Sequence, residues 1–453
     1  MPRPSSLDFQ TLRRGYEAGD FSPRDVAEEV LERIGKRGDD AVWIHRLSRE
    51  EILGHADRIQ IWKRDGKSLP LYGIPFSIKD NIDLADQPTT AACPAFSYRP
   101  KVSATAVQKL IDAGALPVGK TNLDQFATGL VGVRSPYGAP RCVFNSRYIS
   151  GGSSSGSAVA VAADLVGFSL GTDTAGSGRV PAAFNNLVGL KPTRGRVSIK
   201  GVVPACRSLD CVSVFARTTA EAGEVLRVME GIDPDDAWSR AVPPGTAAAL
   251  PAAFRFGVPR PEQLKFFGDH DASGLYDRAV ARLQKMGGQK VIFDFGPFLK
   301  TARLLYHGPW VAERMAAIRD FYAQNAEAMD PTVRKIISGA EKMTAVDAFE
   351  GIYQLQELRR QAAAVWNDVD LLALPTTGTI YTVEEIQADP IGRNTDLGYY
   401  TNFMNLLDLA GLALPAGFRP NGLPFGLTLA APAFTDEMLC GLGRRWEEQG
   451  ADL

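Results

Sequence analysis

In the stretch LYGIPFSIKDNIDL, residues 71–84, apolar and polar positions alternate. Ile74, Phe76 and Ile78 fall on one side and Ser77 and Lys79 on the other, the period of two that marks a strand. SATAVQKLIDAGALPVGKTNLD then reads as a helix, a stop at Gly114 and a short strand. VGFSLGTDTAGSG reads as a strand opening into a glycine-rich loop, and CVSVFART as a strand followed by a helix from Thr219. Later, DLLALPTT reads as a buried strand ending at Pro375, NFMNLLDLAGLALPAG as helix, glycine turn and strand, and GLPFGLTLAAP as a last strand. Strands alternating with helices predict an α/β fold with a central mixed β-sheet flanked by helices.

The flanks have a different texture. Residues 1–65 read as helices. Ser22-Pro23-Arg24-Asp25 supplies an N-cap, a proline at the first turn and an acid at N3, and Ser48-Arg49-Glu50-Glu51 is a capping box. Val26, Val30, Leu31 and Ile34 form one apolar stripe, suited to packing on the core or on a second copy. Residues 235–250 are rich in Pro, Gly and Ala and read as a surface connection, whereas residues 270–370 read mainly as helices. No internal repeat is evident.

Composition narrows the function classes. With 50 basic and 52 acidic residues the net charge is −2, so neither a nucleic-acid surface nor a polybasic membrane patch is indicated. No apolar run approaches the length of a membrane span. MPRPSSLDFQ lacks the apolar core of a signal peptide. The five cysteines, Cys93, Cys142, Cys206, Cys211 and Cys440, show no metal spacing and are expected to be reduced, buried thiols of a cytoplasmic protein.

The chemistry concentrates in YISGGSSSGS, residues 148–157, which runs directly into the apolar AVAVAADLV. Such a loop opens a buried helix, and its hydroxyls have several possible uses. They would cap the helix N-terminus. Gly152–Gly156 also fits the G-x-S-x-G nucleophile elbow, but RYIS is a poor strand, and of only four histidines (His45, His55, His270, His307) the first two precede the serine, the wrong order for that fold. A phosphate cradle lacks its glycine-lysine signature. The remaining use is serine chemistry with a lysine base. Burial lowers a lysine pKa and frees the amine to take a proton. Lys79 on an apolar strand supplies the base, and Ser177 in the tight turn GTDTAGSGRVP supplies a second serine beside backbone N–H groups.

These segments together resemble the amidase signature family of serine hydrolases. The resemblance runs through GIPFSIKDNID, KTNLDQFATG, YISGGSSSGSAVAVA and GTDTAGSGRVPAAFNNLVGLKPTRGRVS, about 130 residues in the family's order. It implies a Ser-cisSer-Lys triad: Lys79 as base, Ser153 as bridging serine after a cis Gly152–Ser153 bond, and Ser177 as nucleophile. It also implies an oxyanion hole from the backbone N–H groups of Thr174, Ala175, Gly176 and Ser177. Ser154, Ser155 and Ser157 are then left to capping and support, and Asp173 and Arg179 to holding the turn.

The nucleophile turn GTDTAGSGR departs from the family's usual G-T-D-T-G-G-S-I-R, with Ala175 for glycine and Gly178 for isoleucine. That variant, LLYHGPWVAERMAAIRD and LPTTGTIYTVEEI all resemble the allophanate hydrolase branch. The branch implies a small-molecule substrate, allophanate, whose carboxylate is held by Tyr306 and Arg314; a planar guanidinium suits a carboxylate bidentately. It implies no metal or organic cofactor and a homodimer. The organisation expected is a helical segment over 1–65 and a catalytic domain over 66–453, without the branch's further C-terminal domain. A general amidase or a glutaminase-type amidotransferase subunit shares the triad but need not share Tyr306 and Arg314. A non-catalytic scaffold would be expected to have lost the triad, and here all three positions are filled.

Overall fold

The computed structural model describes residues 3–244 and 251–450. At its centre is one 11-stranded mixed sheet. Its strands are Trp43–Arg46 (β1), Pro75–Lys79 (β2), Leu116–Thr121 (β3), Phe168–Thr172 (β4), Val188–Lys191 (β5), Val212–Ala216 (β6), Phe254–Pro259 (β7), Gly288–Phe293 (β8), Leu371–Pro375 (β9), Leu409–Phe418 (β10) and Pro424–Pro432 (β11). The spatial order is β1-β3-β2-β4-β6-β5-β10-β11-β9-β7-β8. β2 runs parallel to β3 and β4, and β7 parallel to β8 and β9; the remaining pairs are antiparallel. The mixed α/β sheet expected from the strand and helix periods is therefore present.

Every residue of β2, β3, β4, β5, β6 and β9 is buried, so these strands are covered on both faces, as parallel and central strands are. This is why Ser77 and Lys79, the polar half of the β2 alternation, are also buried. Phe76 and Ile78 join the main hydrophobic core with Phe168, Leu170, Val212 and Val214, while Lys79 ends β2 in polar surroundings.

The N-terminal segment packs on this core. Its helices are Phe9–Ala18 (α1), Pro23–Arg37 (α2) and Arg49–Arg64 (α3), and both predicted capping boxes are formed, at Ser22 and Ser48. Val26, Val30 and Ile34 are buried in the main core cluster. The segment is not helical throughout, because β1 within it pairs with β3 and forms one edge of the sheet. The helix expected between β2 and β3 is Thr105–Asp112 (α4), and Gly114 beyond it is left-handed, as a stop before a strand requires. At the other edge of the sheet, β8 interrupts the stretch expected as helix, and its partner β7 falls between that stretch and the expected connection, where no element was expected. NFMNLLDLAGLALPAG also differs from expectation. Residues 402–408 are a chain of turns, and Gly411 lies inside β10, where a Cβ would meet Met404 Sδ at 2.6 Å. Of the connection expected over 235–250, residues 245–250 lie outside the described residues.

Candidate active site

Lys79 is the last residue of β2 and has no solvent exposure. Its Nζ lies 2.8 Å from Ser153 Oγ and 2.7 Å from Thr172 Oγ1. Burial brings the amine down to about 7, against the opposing pull of the Asp124, Asp210 and Asp173 charges. Among the described residues no carboxylate forms an ion pair with it. A buried lysine held by two hydroxyls and tuned to neutrality is equipped to act as a base.

Ser153 follows a cis peptide bond from Gly152, at the position the resemblance implies. Its neighbours do not cap the helix they open, Ser155–Ala162 (α5), which has no side-chain cap hydrogen bond. α5 is packed into the core, and its hydroxyls stitch it to the sheet instead. Ser154 Oγ donates to Thr172 O (3.2 Å), Ser155 Oγ to Asn122 O (3.3 Å) and Ser157 Oγ to Leu170 O (2.9 Å). The support expected of these serines is there and the capping is not.

Ser177 lies in the turn between β4 and the helix Arg179–Phe184 (α6). Asp173 organises that turn. Its carboxylate accepts from Gly176 N (2.7 Å), Gly178 N (3.2 Å) and Arg179 N (3.3 Å), and pairs bidentately with the Arg179 guanidinium, 2.9 Å for each contact. Burial works against the Asp173 charge, but Arg179, together with the Lys191 charge and the Gly176 N–H, outweighs it and holds the carboxyl below its usual range. Gly176 is left-handed (φ 128°), and a Cβ there would meet Thr401 Oγ1 at 2.6 Å. The Gly176 N–H, expected among four oxyanion donors, is therefore already engaged by Asp173. The N–H groups of Thr174, Ala175 and Ser177 have no acceptor among the described residues.

Ser177 Oγ donates to Gly129 O at 3.4 Å, and no hydrogen bond joins it to Ser153. The residue before Gly129 reaches the other expected group. Arg314, in the helix Trp310–Ala317, is 2% exposed and donates from Nη1 to Thr128 Oγ1 at 3.0 Å. Its guanidinium carbon lies 5.4 Å from the centroid of the Tyr306 ring. Arg314 Nε is buried without a partner, Nη2 makes no hydrogen bond, and no carboxylate pairs with Arg314 among the described residues. The structure thus brings Tyr306 and Arg314 together and ties Arg314, through Thr128–Gly129, to Ser177. Ala175 packs in a small cluster with Cys206, Leu304, Leu305 and Trp310, which joins the Ser177 turn to the helices carrying Tyr306 and Arg314. Glu313 anchors the second of these by accepting from Ser208 N and Oγ, each at 2.7 Å.

Sequence reasoning did not single out Thr172, Thr128, Gly129, Asp124 or Asp210. Asp124 accepts from Val131 N, Gly132 N and Arg134 N, holding the loop after Gly129. Asp210 bonds Thr174 Oγ1, Ala205 N and Cys206 N, and burial pushes its carboxyl up to about 6. Thr128 and Asp124 do lie inside the quoted KTNLDQFATG, and that was the signal available for them. Among the described residues no cluster of His, Cys, Asp and Glu could hold a metal ion, and no helix is long and apolar enough to cross a membrane. All five cysteines are unpaired and buried.

A family model described as amidase matches residues 25–440, and the chain belongs to the amidase family, enzymes that act on amide C–N bonds. Within that family it is 48% identical over 411 residues to the urea amidolyase of Lachancea kluyveri, covering 90% of this chain and 22% of the relative. The chain thus spans about a fifth of the length of that curated relative. Among solved structures it resembles the allophanate hydrolase of Kluyveromyces lactis, with 45% identity and a TM-score of 0.90, covering 95% of this chain and 71% of that one. It is also 33% identical over 476 residues to one component of the glutamyl-tRNA(Gln) amidotransferase of Pseudomonas fluorescens, covering 97% of each.

Proposed function

We propose that the chain hydrolyses the terminal C–N bond of allophanate, a urea bearing a carboxylate, and releases ammonia. The observation that carries this reading is Arg314: a buried cation with no counter-ion among the described residues and a free Nε–Nη2 edge, hydrogen-bonded to Thr128, the residue before Gly129, whose carbonyl receives the Ser177 hydroxyl. A buried charge is costly unless paired, and a substrate carboxylate would complete the pair with two parallel hydrogen bonds. The likeness to the K. lactis allophanate hydrolase supports the same substrate.

In the proposed reaction neutral Lys79 takes the proton of Ser153, and Ser153 that of Ser177. The relay closes when the Ser177 hydroxyl turns from Gly129 O toward Ser153. Ser177 then attacks the urea carbonyl, and the free N–H groups of Thr174, Ala175 and Ser177 receive the developing oxyanion. One such donor is worth about 3 kcal/mol of barrier. Ammonia leaves with a proton returned through Ser153, and water releases the carbamoyl group by the same relay. The product, N-carboxycarbamate, would then lose carbon dioxide. Tyr306 packs on Arg314 and completes the carboxylate pocket.

The test is ammonia release from allophanate and from the uncharged malonamide by the wild type and by Arg314→Ala. Loss of the charge-assisted pair is expected to lower kcat/KM for allophanate about 100-fold, roughly 3 kcal/mol, and to spare malonamide. An equal loss on both, or release from malonamide alone, would move the chain to the general amidases or the amidotransferase subunits. We also propose a homodimer working in the cytoplasm. The family resemblance supports the dimer and five buried unpaired thiols fit a reducing compartment; sedimentation velocity showing only monomer would refute the former.

A further inference from the structure

A guanidinium carries its five N–H donors in one rigid plane, so fixing one nitrogen sets the direction of the others. In Arg314 that nitrogen is Nη1, held by Thr128 Oγ1 at 3.0 Å. Both side chains are buried, Thr128 completely. The Thr128 hydroxyl hydrogen is itself directed to Phe126 O at 3.2 Å, which leaves the oxygen lone pairs for Arg314. The free edge of the guanidinium is then Nε–Nη2, the side-on fork that matches a carboxylate.

The backbone that delivers Thr128 supplies an independent observation. Phe126 (φ 50°, ψ 34°) and Ala127 (φ 50°) are consecutive non-glycine residues in the left-handed region, where a bulky side chain is a rare outlier. They are pinned from several sides. Phe126 N donates to Ala91 O (3.0 Å), Gln125 N to Arg134 O (2.8 Å) and Gln125 Nε2 to Ala92 O (3.0 Å), while Gln125 Oε1 accepts from Asp330 N (2.7 Å). Strain that the surroundings over-determine marks a place where position matters to function.

We propose that Thr128 is a positioning residue for carboxylate recognition: it fixes the rotation of Arg314 so that the Nε–Nη2 edge meets the substrate. This rests on the allophanate reading and deepens it. A merely structural role, satisfying one buried donor, would affect folding and leave substrate affinity alone.

The experiment compares steady-state ammonia release from allophanate by wild type, Thr128→Val, Thr128→Ser and Arg314→Ala, with thermal melts of each. Valine keeps the shape and removes the acceptor; serine keeps the acceptor. Thr128→Val is expected to raise KM about ten-fold, the weight of one hydrogen bond to a charged group, with a smaller change in kcat. Thr128→Ser is expected to bring KM back toward wild type. A wild-type KM in Thr128→Val beside a raised KM in Arg314→Ala would overturn the role of Thr128 alone, as would a serine variant no better than valine. An unchanged KM in Arg314→Ala, or no release from allophanate by the wild type, would overturn the reading beneath it.

Discussion

Lys79 Nζ lies 2.8 Å from Ser153 Oγ, at the end of a buried strand, with no carboxylate paired to it among the described residues. Burial brings this amine down to about 7, so at neutral pH a large share of it is unprotonated and free to accept the serine proton. Protonation removes the base, so kcat/KM should fall about ten-fold per pH unit below about 7 and level off above it. Ammonia release followed from about pH 5 to 9 checks this; a profile flat to pH 5 would remove Lys79 as the base.

The same shift has a consequence for folding. The amine ionises at 10.5 in its ordinary state and at about 7 when buried, so between these values the unfolded chain binds a proton that the folded chain refuses. Stability contributed at this site therefore rises with pH through that window and reaches its low plateau below about 7. Relative to Lys79→Met, the wild type should gain about 1.4 kcal/mol for each pH unit between about 7 and 9.5. Urea denaturation of both proteins measures the difference, and a gap that does not change with pH would mean the amine stays charged.

Ser177→Ala should lower ammonia release by about four orders of magnitude or more, the scale seen when a nucleophile that works as part of a unit is removed. Its hydroxyl makes one long hydrogen bond, to Gly129 O, so the melting temperature should hardly move. Retained turnover in a sample free of wild type would dismiss Ser177 as nucleophile.

Asp173→Asn tests the turn rather than the chemistry. It would leave the Arg179 cation buried and unpaired and weaken the hydrogen bonds from three backbone N–H groups. Breaking one partner of such a pair costs about 3–5 kcal/mol. We expect that loss in chemical denaturation together with lower kcat. Full stability in the variant would show that the turn is held by other contacts.

β5, VGLK, lies in the middle of the sheet but is short and interrupted by glycine and was not legible, whereas β6 and β9 were, from the apolar runs that burial on both faces leaves, and β2 was, from its alternation. The edges were not. β1 is four residues of WIHR, and in β8 Gln289, Lys290 and Ile292 are exposed, so neither shows a hydrophobic period. Edge strands of this kind are polar and short because an exposed apolar edge would recruit other chains. In the site, Lys79 stood out as a lysine set among apolar neighbours and Ser177 through its glycine turn, while Ser153 was picked from its serine-rich loop by the family resemblance. Thr172 and Thr128 did not, because one hydroxyl at a strand end or in a loop has no spacing that distinguishes it. Gly176 carries a different lesson: glycine in a tight turn promised a free N–H, and the nearby Asp173 carboxylate had claimed it.

The groups that meet at this site come from β2, the loop after β3, the start of α5, the turn after β4, and two helices more than a hundred residues further on. The Thr128–Arg314 hydrogen bond alone spans 186 residues of sequence. No contiguous fragment therefore contains the site, and its geometry exists only once the distant helices have docked on the sheet. Contacts of such long range close slowly. During refolding, recovery of turnover should trail the return of secondary structure, so that catalysis reports the last stage of assembly rather than the first collapse.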